Sequence, residues 1–151
     1  MNTRLMALDY IKRARRCLKE AQNALADDDP PMAVRRGQEC VELSLKAALR
    51  RLGVEYPKKH DVSDALEYIA GQVPTWFAVQ IPAFAALSSK LARERGPAMY
   101  GYEAELVPAS QLFTRADAEE RVAAVGQVFA ACERLIALLD EKHISDSSVE
   151  V

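Results

Sequence analysis

Two long segments with the apolar spacing of an α-helix, separated by an acidic turn and two prolines, constrain this chain more than any other feature. In the first segment apolar residues recur at steps of three and four, at Leu8, Ile11, Ala14, Leu18, Ala21 and Leu25. Residues 27–31 read DDDPP, where like charges and proline end one helix and the prolines suit the first turn of the next. The second segment, residues 31–52, is followed by Gly53, which readily adopts the left-handed helix cap. We therefore expect the fold to begin with an antiparallel helical hairpin.

Shorter helical patterns follow the hairpin. A helix is expected over residues 62–70, with Asp61 or Ser63 as its N-cap. The next segment, residues 74–82, begins and ends with proline and is either a short helical turn or a turn with a linker. The helix that starts at the end of this segment must break or bend at Gly96-Pro97, because proline lacks the backbone N–H that a helix interior needs.

The last helix has the clearest start signal. A polar connection over residues 101–113 leads to Thr114 and Asp117, which resemble a capping box. A sustained apolar stripe then follows, made of Val122, Val125, Phe129, Cys132, Ile136 and Leu139. Residues 144–151 lack apolar spacing, so we expect a flexible C-terminal tail there and a single domain over residues 1–143.

Composition agrees with a helical protein. The chain holds 25 Ala and 16 Leu against 12 Val and 5 Ile, and unbranched side chains lose little rotamer freedom in a helix. A length of 151 residues suits one domain with a real core. The predicted fold class is therefore all-α, an antiparallel up-and-down bundle of four to five helices.

Several classes of protein and site are not expected. No stretch approaches the roughly 20 apolar residues that cross a bilayer, and no apolar run follows a basic cluster at the start, so we expect a cytoplasmic protein without membrane contact. Cys17, Cys40 and Cys132 are odd in number and widely spaced, which favours reduced core thiols. With only His60 and His143, and no Cys-x-x-Cys, we expect no metal site and no cofactor.

Charge is unevenly distributed along the chain. Residues 1–60 hold 13 Lys and Arg against 8 Asp and Glu, whereas residues 61–151 hold 7 against 14. The basic half can serve RNA, a nucleotide or an acidic protein surface, including that of a second copy. Solvated helix faces give the same pattern without any ligand.

The segment with the most suggestive chemistry is residues 93–102, which read RERGPAMYGY. Arg93 and Arg95 can bind phosphate bidentately, and Tyr100 and Tyr102 can stack on a base. The same residues have an ordinary structural explanation, because arginines near a helix C-terminus are favoured by the helix dipole and the tyrosines can pack a loop. Standard enzyme signatures, such as a Gly-rich phosphate loop or a nucleophile elbow, are absent from the sequence.

A second group of polar residues lies on one stripe of the second helix. Gln38, Glu42 and Lys46 follow each other at four-residue steps, which places them on one face. They are candidates for contacting the same nucleotide or RNA. An ordinary intrahelical ion pair between Glu42 and Lys46 is the alternative.

These features together resemble small prokaryotic HEPN-domain proteins. The resemblance rests on QECVELSLKAAL at residues 38–49, on Gly53, on HDV at residues 60–62 and on RER…MYG at residues 93–101, and it covers roughly residues 5–139. It implies an antiparallel helical bundle that dimerises and is often encoded beside a minimal nucleotidyltransferase. Many relatives are RNA-cleaving toxins, in which an Arg followed four to six residues later by His, often with Tyr two positions on, performs metal-independent cleavage at the dimer interface.

This chain departs from that motif at one position. Arg95 matches the arginine and Tyr102 matches the trailing tyrosine, but Tyr100 stands where the histidine belongs. A phenol has a reference pKa near 10, against about 6.5 for imidazole, and is a poor general base near pH 7. We therefore expect a binding module for a nucleotide, RNA or a partner nucleotidyltransferase, in a toxin–antitoxin-like context and without strong catalysis.

Two other functions stay open. In one, Arg95, Tyr100 and Tyr102 are the catalytic candidates of a metal-independent ribonuclease toxin with a degenerate Arg-x4-Tyr-x-Tyr motif. In the other, the chain is a structural adaptor whose helix faces serve assembly. A homodimer is expected in addition, because Leu43 and Leu49 extend the apolar surface of the second helix beyond one stripe.

Overall fold

The computed structural model describes the backbone of residues 3–149 and the side chains of residues 3–144. Within this part of the chain there are six α-helices and no strand. They are α1 (Thr3–Ala26), α2 (Pro30–Arg51), α3 (Ser63–Tyr68), α4 (Thr75–Ala78), α5 (Ile81–Tyr100) and α6 (Arg115–Val149), with 3-10 turns at Ala70–Gln72 and Ala109–Gln111. The predicted all-α bundle is confirmed, and α3 and α4 are short additions to four long helices.

The opening hairpin forms as predicted. Asp28 takes a positive φ of 58° in the turn, and the Asp29 side chain accepts a hydrogen bond from the N–H of Met32 at 3.3 Å. The C-terminus of α2 is closed by hydrogen bonds from Val54 N–H to the Leu49 carbonyl and from Gly53 N–H to the Arg50 carbonyl. This pairing is a Schellman motif, so Gly53 ends α2 as expected.

Helix α2 is the centre of the bundle. It contacts α1, α5 and α6, and it carries more buried residues than α1 or α5. Its close contact with α6 is made at Gly37, where a Cβ would lie 3.2 Å from Val125 Cγ2. Leu49 is fully buried, whereas Leu43 is partly buried and packs against the edge of the core. Of the apolar surface that we expected for a second copy, Leu49 therefore supplies none and Leu43 only part of one side chain, and the homodimer stays a prediction.

Helix α5 passes through Gly96-Pro97 and continues to Tyr100. The lost N–H of Pro97 removes a single hydrogen bond near the end of the helix. The residue before a proline is normally driven out of the helical region by a clash with its Cβ, and glycine at position 96 has no Cβ. The segment that the sequence left undecided, residues 74–82, holds the short helix α4 and the start of α5.

The reciprocal hydrogen bonds of a capping box open α6. Thr114 N–H donates to Asp117 Oδ2 at 3.0 Å, and Asp117 N–H donates to Thr114 Oγ1 at 3.1 Å. Hydrogen bonds from the backbone and the side chain of Thr114 to the Asp117 carboxyl lower its pKa. The helix runs on to Val149, so the backbone of residues 144–149 continues as helix rather than leaving it at His143. Residues 150 and 151 of the expected tail lie outside the described residues.

One sequence-based exclusion needs correction. By length and composition alone, α6 is long and apolar enough over Arg115–Ile144 to cross a membrane. This stretch was overlooked in the sequence because charged residues lie at both of its ends and the pair Glu133 and Arg134 interrupts its apolar part, residues 122–139. In the structure α6 packs against α1 and α2 and supplies core residues such as Val125, Val128 and Leu135, and a core helix meets the same criterion.

Candidate ligand-binding surfaces

Residues 93–95 place three neighbouring charged side chains in three different environments. Arg93 is exposed. The half-buried Glu94 accepts from Arg121 Nε on α6 at 2.7 Å, which ties α5 to α6. Arg95 turns towards α2, where its Nη1 donates to Gln38 Oε1 at 2.5 Å. Two arginines that looked equivalent in the sequence are therefore separated by the helix geometry.

Buried groups hold the end of α5 against α2. The Gln38 side chain that accepts from Arg95 is only 2% exposed. Arg35, which was not among the residues predicted from the sequence, donates from Nη1 to the backbone carbonyl of Arg95 at 3.1 Å and pairs with Glu39 at 3.5 Å. Its signal in the sequence was its spacing, since it precedes Gln38 by three residues and Glu39 by four. Arg95 therefore has a fixed backbone position and a fixed side-chain contact.

The two tyrosines lie on the solvent side of this junction. Tyr100 is 68% exposed and Tyr102 49% exposed, beside the exposed Met99 and Leu106. We call Arg93, Met99, Tyr100, Tyr102 and Leu106 the α5-end surface. Among the described residues, no hydrogen bond joins Arg95 to Tyr100 or Tyr102. The predicted site is thus divided into an inner Arg95–Gln38 contact and an outer aromatic surface.

Gly101 sets the position of Tyr102. It ends α5 with φ 67° and ψ −158°, a backbone conformation that residues other than glycine avoid. A Cβ on Gly101 would meet the Val107 carbonyl oxygen. Tyr102 and Val107 exchange two backbone hydrogen bonds of 2.8 and 3.0 Å across the loop, which is an isolated antiparallel bridge. The predicted polar connection is therefore an ordered turn.

Glu42 and Lys46, the other two predicted residues, belong to a separate place on the molecule. The Lys46 ammonium lies 3.5 Å from Glu42 and 5.4 Å from the centre of the Tyr56 ring. His60 Nδ1 lies 2.6 Å from Glu42 Oε1. From Gln38 to Lys46 the distance along α2 is about 12 Å at 1.5 Å per residue. The two ends of the stripe on α2 therefore lie in different environments: Gln38 contacts Arg95, and Lys46 lies beside Tyr56.

A cleft of about 370 Å³ opens around this second group. We call it the basic cleft, and its charged and aromatic lining includes Glu42, Lys46, Arg50, Tyr56, His60 and the pair Lys58 and Lys59. Arg50 Nε donates to the Tyr56 hydroxyl at 3.1 Å, and its guanidinium lies 5.0 Å from the ring centre. Burial raises the pKa of Tyr56, and the hydrogen bond from Arg50 opposes that rise. No ligand-binding role was predicted from the sequence for residues 56–60.

No metal centre is formed by the described residues, since they hold no group of three His, Cys, Asp or Glu that could bind one. Cys17, Cys40 and Cys132 are free thiols. Burial raises the pKa of Cys17 to about 11 and that of Cys40 to about 12. These thiols are thus weak nucleophiles in the folded protein.

Comparison with known proteins identifies the architecture. The family described as HEPN domain matches residues 7–135. A crystal structure of TT1696 from Thermus thermophilus has a TM-score of 0.68 at 25% sequence identity and covers 89% of this chain and 98% of that one. A crystal structure of ST0689, an archaeal HEPN homologue, has a TM-score of 0.63 at 23% identity and covers 86% of this chain and 97% of the other. No curated protein matches significantly.

Proposed function

The chain belongs to the HEPN domain family, and from this premise we propose that it is a dimeric binding module that recognises RNA or a nucleotide without efficient cleavage. The observation that carries the proposal is the arrangement around Arg95. Its guanidinium is held by Gln38, and its backbone is held by Arg35. A preorganised arginine binds phosphate at a low entropic cost.

The side chain available as a general base is poorly suited to RNA cleavage. The position that carries histidine in RNA-cleaving relatives is Tyr100, and a neutral phenol is a poor general base near pH 7. His60 is engaged with Glu42 in the basic cleft, away from Arg95. Tyr100 and Tyr102 are exposed enough to stack on bases, which supports recognition over catalysis.

A binding experiment tests this proposal. Fluorescence anisotropy of a labelled single-stranded RNA should show binding by the wild type and at least tenfold weaker binding by Arg95→Ala. Arg115→Ala removes the same charge from an exposed arginine on α6 and should bind within twofold of the wild type. If Arg95→Ala does not fold, Arg95→Lys keeps the charge and removes the fork-shaped donor. Equal binding by the wild type and the folded Arg95 variant would refute the proposal.

A cleavage assay separates the proposed module from a ribonuclease. The wild type should leave structured and single-stranded RNA intact, whereas Tyr100→His should gain metal-independent cleavage that the added Arg95→Ala change removes. Cleavage by the wild type that is lost in Tyr100→Phe would establish the ribonuclease instead. Light scattering that finds only monomer at micromolar concentration would remove the dimer from the proposal.

A protein partner is a second candidate, favoured by the α5-end surface itself. Met99, Tyr100 and Leu106 expose apolar side chains on either side of the turn at Gly101, and exposed apolar patches are typical of protein interfaces. A minimal nucleotidyltransferase is the partner that family membership suggests. Co-purification with a nucleotidyltransferase encoded in a neighbouring gene, lost in Tyr100→Asp but kept in Arg95→Ala, would favour this function over RNA binding.

A further inference from the structure

We propose that the basic cleft is an oligophosphate site, which binds a small ligand carrying two or more linked phosphates. The proposal goes beyond the proposed function because it names a second site, made of residues other than Arg95, and gives the chemistry of its ligand. It rests on the geometry of the cleft floor, on the charge balance of its lining and on the way the fold anchors its loop.

The floor of the cleft holds two cations together on one aromatic ring. Lys46 and Arg50 lie one helical turn apart on α2, a spacing at which like charges disfavour each other. Both approach the Tyr56 ring, at 5.4 and 5.0 Å, and Arg50 also donates to its hydroxyl. The negative face of an aromatic ring favours nearby cations. Tyr56 thereby keeps two cationic donors close together at one place.

The lining carries more positive charge than the fold neutralises. Glu42 is the carboxylate among the residues that line the cleft, against four Lys and Arg. Lys58 and Lys59 are exposed and form no ion pair with a described residue. Elsewhere in the bundle, half-buried arginines such as Arg51 and Arg121 each have a carboxylate partner within 3 Å. Among the lining residues the surplus is three positive charges. Two carboxylates lie just outside the lining: Glu55, which acts on Arg50, and Asp61, which already accepts from Ser63 and Ser89.

That surplus fits linked phosphates better than a single one. One phosphate monoester carries about −1.5 to −2 charges at pH 7 and leaves part of a surplus of three unmatched, whereas two linked phosphates carry enough negative charge to match it. The cleft volume of about 370 Å³ lies within the range of small-molecule pockets. Arginine and lysine are the usual donors to phosphate oxygens.

The loop that carries the lysines is anchored at both ends. Its start is fixed by the Schellman motif at Gly53, and its end by Asp61, which accepts from Ser63 N–H at 3.0 Å and from Ser89 Oγ at 2.8 Å. Val62 N–H donates to the buried Ser88 Oγ at 3.1 Å. Lys58 and Lys59 thus lie on a short segment held against α2 and α5, so binding needs little ordering of the chain.

Calorimetry with inorganic pyrophosphate as the probe tests the site. The wild type should bind pyrophosphate at least tenfold more tightly than orthophosphate or sulfate, because single anions engage fewer cations. The double variant Lys58→Gln/Lys59→Gln changes two exposed side chains and should lose at least tenfold in affinity. The matched control Lys12→Gln/Lys19→Gln removes the same charge from exposed positions on α1 and should bind within twofold of the wild type.

The results divide clearly. Equal loss in both double variants would show that only net charge matters. Unchanged binding in the loop variant would show that the cleft is not the site. Either result overturns the proposal, as does equal affinity for orthophosphate and pyrophosphate.

Comparing pyrophosphate with ADP identifies the source of the phosphates. Equal affinities support a site that recognises phosphates alone, and tighter ADP binding supports a nucleotide. Pyrophosphate affinity is measured in Arg95→Ala as well. A loss in that variant, with none in the loop variant, would place the phosphates at Arg95 and overturn this proposal without affecting that of RNA binding, so the two proposals fail separately.

Discussion

Replacement of Gly101 by alanine should destabilise the protein while leaving its helices in place. Gly101 has φ 67° and ψ −158°, and an added Cβ would overlap the Val107 carbonyl oxygen and lie 2.8 Å from Ala109 N. Both neighbours are backbone atoms, so no side chain can turn aside to make room. The loop must therefore move, and the two hydrogen bonds between Tyr102 and Val107 depend on its present path.

The expected size follows from two contributions. Backbone strain in a region that only glycine occupies comfortably costs about 1–3 kcal/mol. Loss of two backbone hydrogen bonds costs about 1 kcal/mol each. Because moving the loop relieves part of the strain, we expect Gly101→Ala to lower the free energy of unfolding by about 2–4 kcal/mol.

Urea unfolding followed by far-ultraviolet circular dichroism measures this change. With a slope of about 2 kcal/mol per molar urea, the midpoint should fall by about 1–2 M. Gly126→Ala is the matched control, because Gly126 lies inside α6 with nothing within 4 Å of an added Cβ. That variant should gain about 0.5–1 kcal/mol from the better helix propensity of alanine. A Gly101→Ala midpoint within 0.3 M of the wild type would refute the steric argument.

Three further outcomes can be checked on the same protein. Leu45→Ala, which empties a fully buried core position, should cost about 2–5 kcal/mol in urea unfolding, whereas Leu106→Ala, at a position 89% exposed, should stay within about 0.5 kcal/mol. Cys17, whose pKa burial raises to about 11, should react with a disulfide reagent at pH 8 far more slowly in the folded than in the urea-unfolded protein; equal rates would contradict the described burial. Burial alone would raise the pKa of Asp61, but hydrogen bonds from Ser63, Ser89 and Ser88 outweigh burial and lower this pKa. Asp61→Asn should therefore be less stable than the wild type above about pH 4. The difference in unfolding free energy should shrink as the pH falls through the lowered pKa of Asp61. A difference that stays constant down to pH 2 would contradict this explanation.

The features predicted correctly from the sequence are those that depend only on residues close together in the chain. The proline-containing turn after α1, the Gly53 cap and the Thr114–Asp117 box each depend on neighbouring backbone groups, and each forms as predicted. The passage of α5 through Pro97 was left open, because it depends on whether one lost hydrogen bond is offset by packing. Contacts such as Arg35 to the Arg95 carbonyl, which join residues 60 positions apart, supply that packing.

The site was harder to predict because neighbours in sequence diverge in space. Arg93 and Arg95 lie two residues apart, which places them about 200° apart around a helix of 3.6 residues per turn, and only Arg95 contacts α2. The basic cleft requires contacts between α2 and the loop after it, and the sequence carried a signal for them. A tyrosine followed by two lysines and a histidine, directly after a helix containing Lys46 and Arg50, brings six cationic or titratable groups within a short stretch of chain.

The side chain at position 100 can change without disturbing the bundle. Arg95 is held by Gln38 and by Arg35, and neither contact involves Tyr100, which is 68% exposed. Substitution of an exposed residue on the last turn of a helix changes stability little. The bundle therefore places almost no constraint on this side chain, and histidine can replace Tyr100 without repacking. Structural similarity at 23–25% identity accordingly establishes the helical architecture, and the Tyr100→His comparison tests the proposed link between this side chain and RNA cleavage.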